Sequence, residues 1–495
     1  MSTDPTREQA AAIGARGKVI VSASAGSGKT FVMINRLVSL IVGGADVREV
    51  LAVTYTRKAA AQMREKLRSA LVRAVGETRD EGARARLKAQ IAALPLADIC
   101  TMHVFCARLI RTYFYVEGVD PAFRIAGEDD PEWKTYSARA LDETFDEAYK
   151  NGGEAFRALL SFYFRKKSDR TLRKLVLGMV DAAEDGADPE ASLKAAGTLP
   201  FADVAAVFEG QTKRLLSTLL REIEALAPDM EGVKLHAALW ERVSSYLAAD
   251  GAFAAAALAA SRAEERLPRA PQMTKLRGEE LDRLLRLKAV SEALKELEKQ
   301  LSSLGDEAAE RARHEDASAR ARALSALALD YRARFLSLKR EAGLYDYNDL
   351  EHGALRILQQ EDLRAAVRQK YRYVFVDEYQ DVNLVQEELL RLAGGEEVFL
   401  VGDAKQAIYA FRGSRSRYFL QKTEEYPVSL TLSESFRSSS AVLSAVNRVF
   451  SHAMTEETCG LDYKNRAQMQ GGRRYGSHEG EGHFVLAPER EKGEK

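Results

Sequence analysis

Lys29 and Thr30 close the stretch SASAGSGKT, residues 22 to 30, between the apolar run Val19-Ile20-Val21 and an amphipathic segment opening Phe31-Val32-Met33. A strand, then Ala-x-x-x-x-Gly-Lys-Thr, then a helix suits one chemistry in particular, the gripping of a phosphate chain. Gly26 and Gly28 let the backbone wrap closely and aim its N–H groups at phosphate oxygens, and the following helix adds its positive end. On this reading Ala23, Ser24, Ala25, Gly26, Ser27, Gly28, Lys29 and Thr30 form an ATP cradle. Lys29 would neutralise the β- and γ-phosphates and Thr30 would hold Mg²⁺. The strict pattern begins with Gly, and Ala23 is a common relaxation of it. The plainer alternative is a glycine turn that merely starts a helix.

A second stretch supplies acids. YVFVDEYQD, Tyr373 to Asp381, reads as a buried strand that ends in carboxylates. In phosphate-cleaving sites of this kind the acid at the strand tip holds Mg²⁺ and its neighbour polarises the attacking water. Asp377 suits the first role and Glu378 the second. A solvated acidic loop is the alternative, but a strand this apolar normally ends in turn residues.

These groups need a scaffold, and the spacing of apolar residues predicts one. The 495 residues exceed one ordinary domain. Up to residue 128 short Val/Ile-rich runs (Lys18 to Ala23, Val50 to Thr56, Ile99 to Phe105) alternate with helical patterns, the rhythm of a parallel sheet. From 129 to 342 the strands give way to Ala, Leu, Arg and Glu at helical spacing. There Leu287, Val290, Leu294, Leu297, Leu301 and Leu304 make a seam, either a short coiled coil or part of a helical subdomain. Strand patterns return at Tyr371 to Val376, Val398 to Val401 and Val428 to Leu432. The expected fold is therefore α/β, a parallel sheet flanked by helices and interrupted by a large helical insertion.

Composition narrows the class further. The formal net charge is zero, so any nucleic-acid surface must be local. The three cysteines, Cys100, Cys106 and Cys459, make neither a disulfide framework nor a metal set. The polar start and the absence of a long apolar run predict a soluble, cytoplasmic protein with no membrane contact. The stretch from Gly471 onward, rich in Gly, Glu and Arg, reads as loose.

Asp-Glu-x-Gln-Asp together with ASAGSGKT resembles the superfamily 1 DNA helicases of the UvrD/Rep kind, and within them the AddA branch of helicase–nucleases. Other matching stretches are TREQAAAI, TYTRKAAAQM, TMHVFCARLIR, VGDAKQAIYAFRGS, LSESFRSS and YDYNDLEHGALRIL. The resemblance implies two RecA-like motor domains. Residues 1–128 and 343–430 would form the first, 129–342 the helical insertion, and 431–495 the start of the second. It implies 3′→5′ movement along single-stranded DNA in double-strand break repair and recombination, with ATP and Mg²⁺ as cofactors. Expected partners are single-stranded or duplex-end DNA and an AddB-like second subunit.

Site roles follow from the same resemblance. Gln9 would read adenine and Phe436 would stack on it. Gln406 would sense the γ-phosphate and Arg412 would contact it, with Arg437 as the arginine finger. Tyr55, His103, Tyr409 and Phe411 would line the DNA track, although an aromatic in such a stretch can also serve core packing. Arg165-Lys166-Lys167, flanked by aromatics, reads as a solvated helix end or an added DNA contact.

Two later motifs of the second motor domain have no match, which predicts the front half of a helicase. Such a piece would be poorly active alone, with the segment after about Leu430 mobile and Arg437 poorly placed. Two other functions stay open, a DNA-binding module switched by ATP and a scaffold that docks a partner protein.

Overall fold

The architecture was read from a computed structural model that describes residues 4–164, 168–227, 233–271, 278–407, 416–459 and 461–472. The chain divides into two compact units. One comprises Met1–Arg139, Asp181–Pro189 and Phe335–Lys495, the other Ala140–Val180 and Glu190–Arg334.

The first unit is built on a six-stranded sheet. In chain order its strands are β1 (Lys18–Ala23), β2 (Val50–Thr54) and β3 (Asp98–Thr101), then β6 (Tyr373–Val376), β7 (Glu397–Gly402) and β8 (Val428–Leu432). The short β4 (Arg124–Ile125) and β5 (Leu344–Tyr345) pair with each other, as do β9 (Glu434–Ser435) and β10 (Gln470–Gly471). The large sheet runs β3-β2-β6-β7-β1-β8, and every pairing in it is parallel. Its strands interleave: β6 and β7, from the far end of the sequence, lie between β1 and β2.

Parallel strands covered on both faces carry apolar side chains at nearly every position. Here alternate residues feed two cores. Ile20, Leu51, Val53, Val374, Val376 and Leu400 point to one, and Val19, Val21, Ala52, Phe375, Phe399 and Val401 to the other. The second core is closed by α1 (Arg7–Gly14), α2 (Lys29–Val42), α3 (Arg57–Glu77) and α4 (Glu81–Ala93). The first is closed by α5 (Met102–Thr112) and by the helices Tyr347–Gln359 and Leu384–Ala393.

Several strand ends differ from the sequence expectation: β3 begins one residue early, at Asp98, and β7 extends one residue at each end, to Glu397 and Gly402. Val50 to Thr56 stops at Thr54, because the Thr56 hydroxyl accepts from the Ala59 N–H and caps α3. Ile99 to Phe105 stops at Thr101, because Met102, Phe105, Cys106 and Leu109 recur at helical spacing and bury one face of α5. Tyr371 to Val376 begins at Tyr373. Strand β8 runs Val428–Leu432, as the spacing predicts, and pairs with β1.

The second unit is helical among its described residues apart from turns and loops. The helices Phe201–Leu226, Lys234–Leu247, Ala252–Ser261 and Gly278–Ser302 share one core. Leu287, Val290, Leu294, Leu297 and Leu301 are buried in it, and Leu304, past the helix end, packs at its edge. The seam therefore serves a helical subdomain. No helix among the described residues is long and apolar enough to cross a membrane.

Candidate functional site

Strands of a parallel sheet all deliver their carboxyl ends to one edge, and crevices there are the usual place for ligands. Strand β1 delivers the glycine-rich turn, β2 Tyr55, β3 His103, β6 the acids, β7 Asp403 to Gln406, and β8 the segment Ser433 to Arg437.

In the turn after Ala23, Gly26 and Gly28 have φ of 77° and 91°, conformations in which a side chain is strained. Space forbids one as well. A Cβ on Gly28 would lie 2.7 Å from Gln9 Nε2, and one on Gly26 would lie 2.5 Å from Arg437 Cβ. Lys29 and Thr30 open α2, whose N-terminus has no side-chain cap. Its first N–H groups thus suit an anion. Ser27 is 1 % exposed, and its buried Oγ has no hydrogen-bond partner among the described residues.

The acids face this turn. Strand β6 ends at Val376, and the Asp377 N–H still donates to the Val53 carbonyl at 2.9 Å. Lys29 Nζ lies 2.9 Å from Glu378 Oε2. Glu378 has φ 52°, the one positive φ at a non-glycine residue among those described. Such strain concentrates where a side chain must be aimed. Burial and the neighbouring Glu378 push the Asp377 carboxyl up to about 6, and the same two causes push Asp381 up to about 6. A carboxyl so raised is one that a cation would stabilise in its charged form.

A chain of hydrogen bonds leads onward from Glu378. Gln380 Nε2 donates to Glu378 Oε2 at 2.8 Å, and Gln380 Oε1 accepts from the Asp403 N–H at 2.8 Å. Gln406 Nε2 then donates to Asp403 Oδ2 at 2.7 Å. Lys405 bridges Asp403 Oδ1, at 2.8 Å, and the Ser24 hydroxyl, at 3.3 Å. Gln406 is thus joined to Glu378 through two residues. Gln380, Asp403 and Lys405 were not singled out in the sequence, although each stands in a quoted stretch. Only the pairing of β6 with β7 makes them neighbours.

Gln9 lies on α1, where it forms a reciprocal cap with Thr6. Its Nε2 donates to the Ser27 carbonyl at 3.0 Å. The far end of α1 is held by buried Arg36, which donates to the Ala12, Ile13 and Ala15 carbonyls and lies over the Phe399 ring. Glu8 accepts from both the N–H and the hydroxyl of Ser433 at 2.8 Å. Two residues on, the Ser435 hydroxyl donates to the Ala25 carbonyl at 2.9 Å and the Phe436 N–H to the Gly26 carbonyl at 2.9 Å. Arg437 therefore stands against the turn, exposed but with its backbone neighbours pinned. Pairing of β8 with β1 carries the chain directly to the glycines.

The remaining residues divide. Tyr55 is exposed at the tip of β2. His103, in the first turn of α5, is half-buried; its Nε2 is 3.0 Å from Glu351 Oε1, and its ring lies 4.4 Å from that of Tyr347. Tyr409, Phe411 and Arg412 lie outside the described residues, as does Arg165-Lys166-Lys167.

The model of the UvrD/REP helicase N-terminal domain family matches residues 4–427. The AddA-type ATP-dependent helicase/nuclease chain of Syntrophomonas wolfei is 31% identical over 500 residues, covering 94% of this chain and 39% of that protein. Its counterpart in Bacillus licheniformis is 32% identical over 524 residues, 96% of this chain and 41% of that protein. That of Desulforudis audaxviator is 32% identical over 547 residues, 98% and 43%. The chain spans about two fifths of the length of the curated relatives it matches. The family match takes in the glycine-rich turn, both acids and the Asp403–Gln406 segment, and by it the chain belongs to the UvrD/REP helicase N-terminal domain family.

Proposed function

We propose that this chain forms the nucleotide-binding part of an ATP-driven motor that moves 3′→5′ along single-stranded DNA, within an AddA-like helicase–nuclease that works in break repair and recombination. One observation carries the reading. A glycine-rich turn, two acids and Gln406 converge at one sheet edge and are joined from Lys29 to Gln406 by hydrogen bonds. The likeness to the AddA-type helicase/nucleases supplies the polymer and the pathway.

In this reading ATP lies across the turn. The left-handed glycines of the turn and the orphaned Ser27 hydroxyl fit a phosphate chain, and the raised carboxyl of Asp377 fits a cation. Thr30 and Asp377 would hold Mg²⁺, which would offset charge on the phosphate oxygens. Lys29 binds the β- and γ-phosphates. Glu378 takes the proton of the attacking water, aimed by its strained backbone and by Gln380. Arg437 and Arg412 counter charge that develops on the transferred group, and Gln406 reports its loss through Asp403 and Gln380. Gln9 and Phe436 hold the base. Tyr55, His103, Tyr409 and Phe411 hold the strand.

In the same reading residues 1–128 and 343–430 make a first RecA-like domain, 129–342 an insertion, and 431 onward the lead into a second. A cytoplasmic setting and an AddB-like partner accompany it. Phosphate release by the chain, with and without a dT oligonucleotide, tests the proposal. DNA-stimulated release supports a motor, and binding of both ligands without turnover supports the ATP-switched module instead.

A further inference from the structure

The motor reading leaves one buried charge unused. Glu351, in the helix Tyr347–Gln359, is 4 % exposed, yet three side chains keep it charged. His103 Nε2 lies 3.0 Å from its Oε1, Gln386 Nε2 donates to the same oxygen at 2.6 Å, and Asn383 Nδ2 donates to Oε2 at 3.1 Å. Burial alone would raise the carboxyl, but these partners hold it below its ordinary value.

The partners come from two places with different exposure. His103 is half-exposed and lies against the exposed ring of Tyr347, one turn before Glu351 on the same helix. Asn383 is the N-cap of the helix Leu384–Ala393, two residues after Asp381, and Gln386 lies in its first turn. The turn Tyr379–Asp381 directly before it carries Gln380, which donates to Glu378. One buried carboxylate thus joins an aromatic surface at the β3 tip to the acid turn at the β6 tip.

We infer that Glu351 is the positioning residue that couples occupation of the His103–Tyr347 surface by single-stranded DNA to the Glu378–Asp381 turn. The inference rests on the motor reading and adds to it a link that does not pass through Asp403 and Gln406. The physical reason is the intolerance of a buried charge for an unmade bond. When a strand engages His103 and turns its ring, Glu351 Oε1 loses one of its two partners. The carboxylate must then re-seat against the amides of Asn383 and Gln386, and Asn383 carries the end of the acid turn with it.

Linkage makes this measurable, because nucleotide and DNA must change each other's affinity by the same factor. Calorimetric titration of the full 495-residue chain with a dT oligonucleotide, with and without a non-hydrolysable ATP analogue and Mg²⁺, gives that factor. In the unaltered chain it should be roughly fivefold or more. Glu351→Gln should bring it below about twofold while each separate affinity stays within about threefold. Asn383→Ser, which keeps the capping oxygen but removes the amide donor, should do the same without disturbing Glu351. Thermal melts of both variants show whether the fold survives. Undiminished coupling in both variants overturns the inference and leaves the motor reading standing. An unaltered chain that binds neither ligand, or binds both without coupling, overturns the motor reading and this inference with it.

Discussion

Lys29 Nζ lies 2.9 Å from Glu378 Oε2, so the cation suited to phosphate and the carboxylate suited to water are each other's partner. They are 349 residues apart in the chain. Their meeting follows from the sheet order, in which β7 alone separates β1 from β6. A triphosphate entering the turn competes with Glu378 for Lys29, which ties phosphate binding to the placing of the acid.

Lys29→Ala should weaken Mg·ATP binding roughly a hundredfold or more, since a charge-assisted contact is lost with no neutral substitute. Glu378, left without Lys29, is partly exposed and keeps its bond from Gln380, so the melting temperature should shift little. Calorimetry with an ATP analogue decides the matter. Unchanged affinity refutes the phosphate assignment.

Glu378→Gln should retain ATP binding, or gain up to about tenfold, because Lys29 is freed from a competing carboxylate. Turnover should fall about 10²–10⁴-fold, since the amide takes up no proton. Single-turnover phosphate release separates the two effects. Normal turnover would place the base elsewhere.

The left-handed backbone at Glu378 gives a test that needs no ligand. Ordinarily alanine is the more stabilising of the pair alanine and glycine. At φ 52° the order should reverse, with Glu378→Gly more stable than Glu378→Ala by about 1 kcal/mol. Both variants lose the same side-chain contacts, so denaturant melts isolate the backbone term. Equal midpoints would mean that the residue is not held in this conformation in solution.

Asp377 makes stability depend on pH. Its folded-state carboxyl is raised to about 6 from an ordinary 3.8, so between those values the folded chain binds more protons than the unfolded one. Its contribution is complete below about pH 4 and is lost as pH rises through about 6. Asp377→Asn should therefore stabilise the chain at about pH 7, on the order of 1–3 kcal/mol, and hardly at all at about pH 4. Asp381 is raised in the same direction, so the variant keeps part of the slope. A stabilisation equal at both pH values would show that Asp377 is not buried beside Glu378. At neutral pH the same variant should also lose Mg²⁺-dependent nucleotide affinity.

Tyr409→Ala and Phe411→Ala should each weaken binding of a single-stranded oligonucleotide by about 1–3 kcal/mol, with little dependence on base sequence. Affinity of the unaltered chain should fall as salt is added, because phosphate contacts release counterions. Fluorescence anisotropy with dT and mixed-sequence oligonucleotides reads both effects. Salt-insensitive binding, or a marked base preference, would point to another surface.

The sequence by itself determined the local pieces. Glycines at 26 and 28 are required by backbone conformation, and a lysine and threonine must then open the helix. Apolar runs with alternate residues feeding two cores could only be strands covered on both faces. Strand β8 was legible to the residue, whereas β2 and β3 ended early, because Thr56 and Met102 serve helices whose claim appears only once the next turn is laid down. Strand order was decided by tertiary structure alone. A parallel sheet can insert β6 and β7 between β1 and β2 at no local cost, so nothing in either run of residues declares its neighbour. That order is what makes Gln380, Asp403 and Lys405 a relay, sets Arg437 against Gly26, and buries Glu351 among His103, Asn383 and Gln386. Their side chains carry no periodic or motif signal of pairing, because hydrogen bonds between distant polar groups are set by how the packed elements meet.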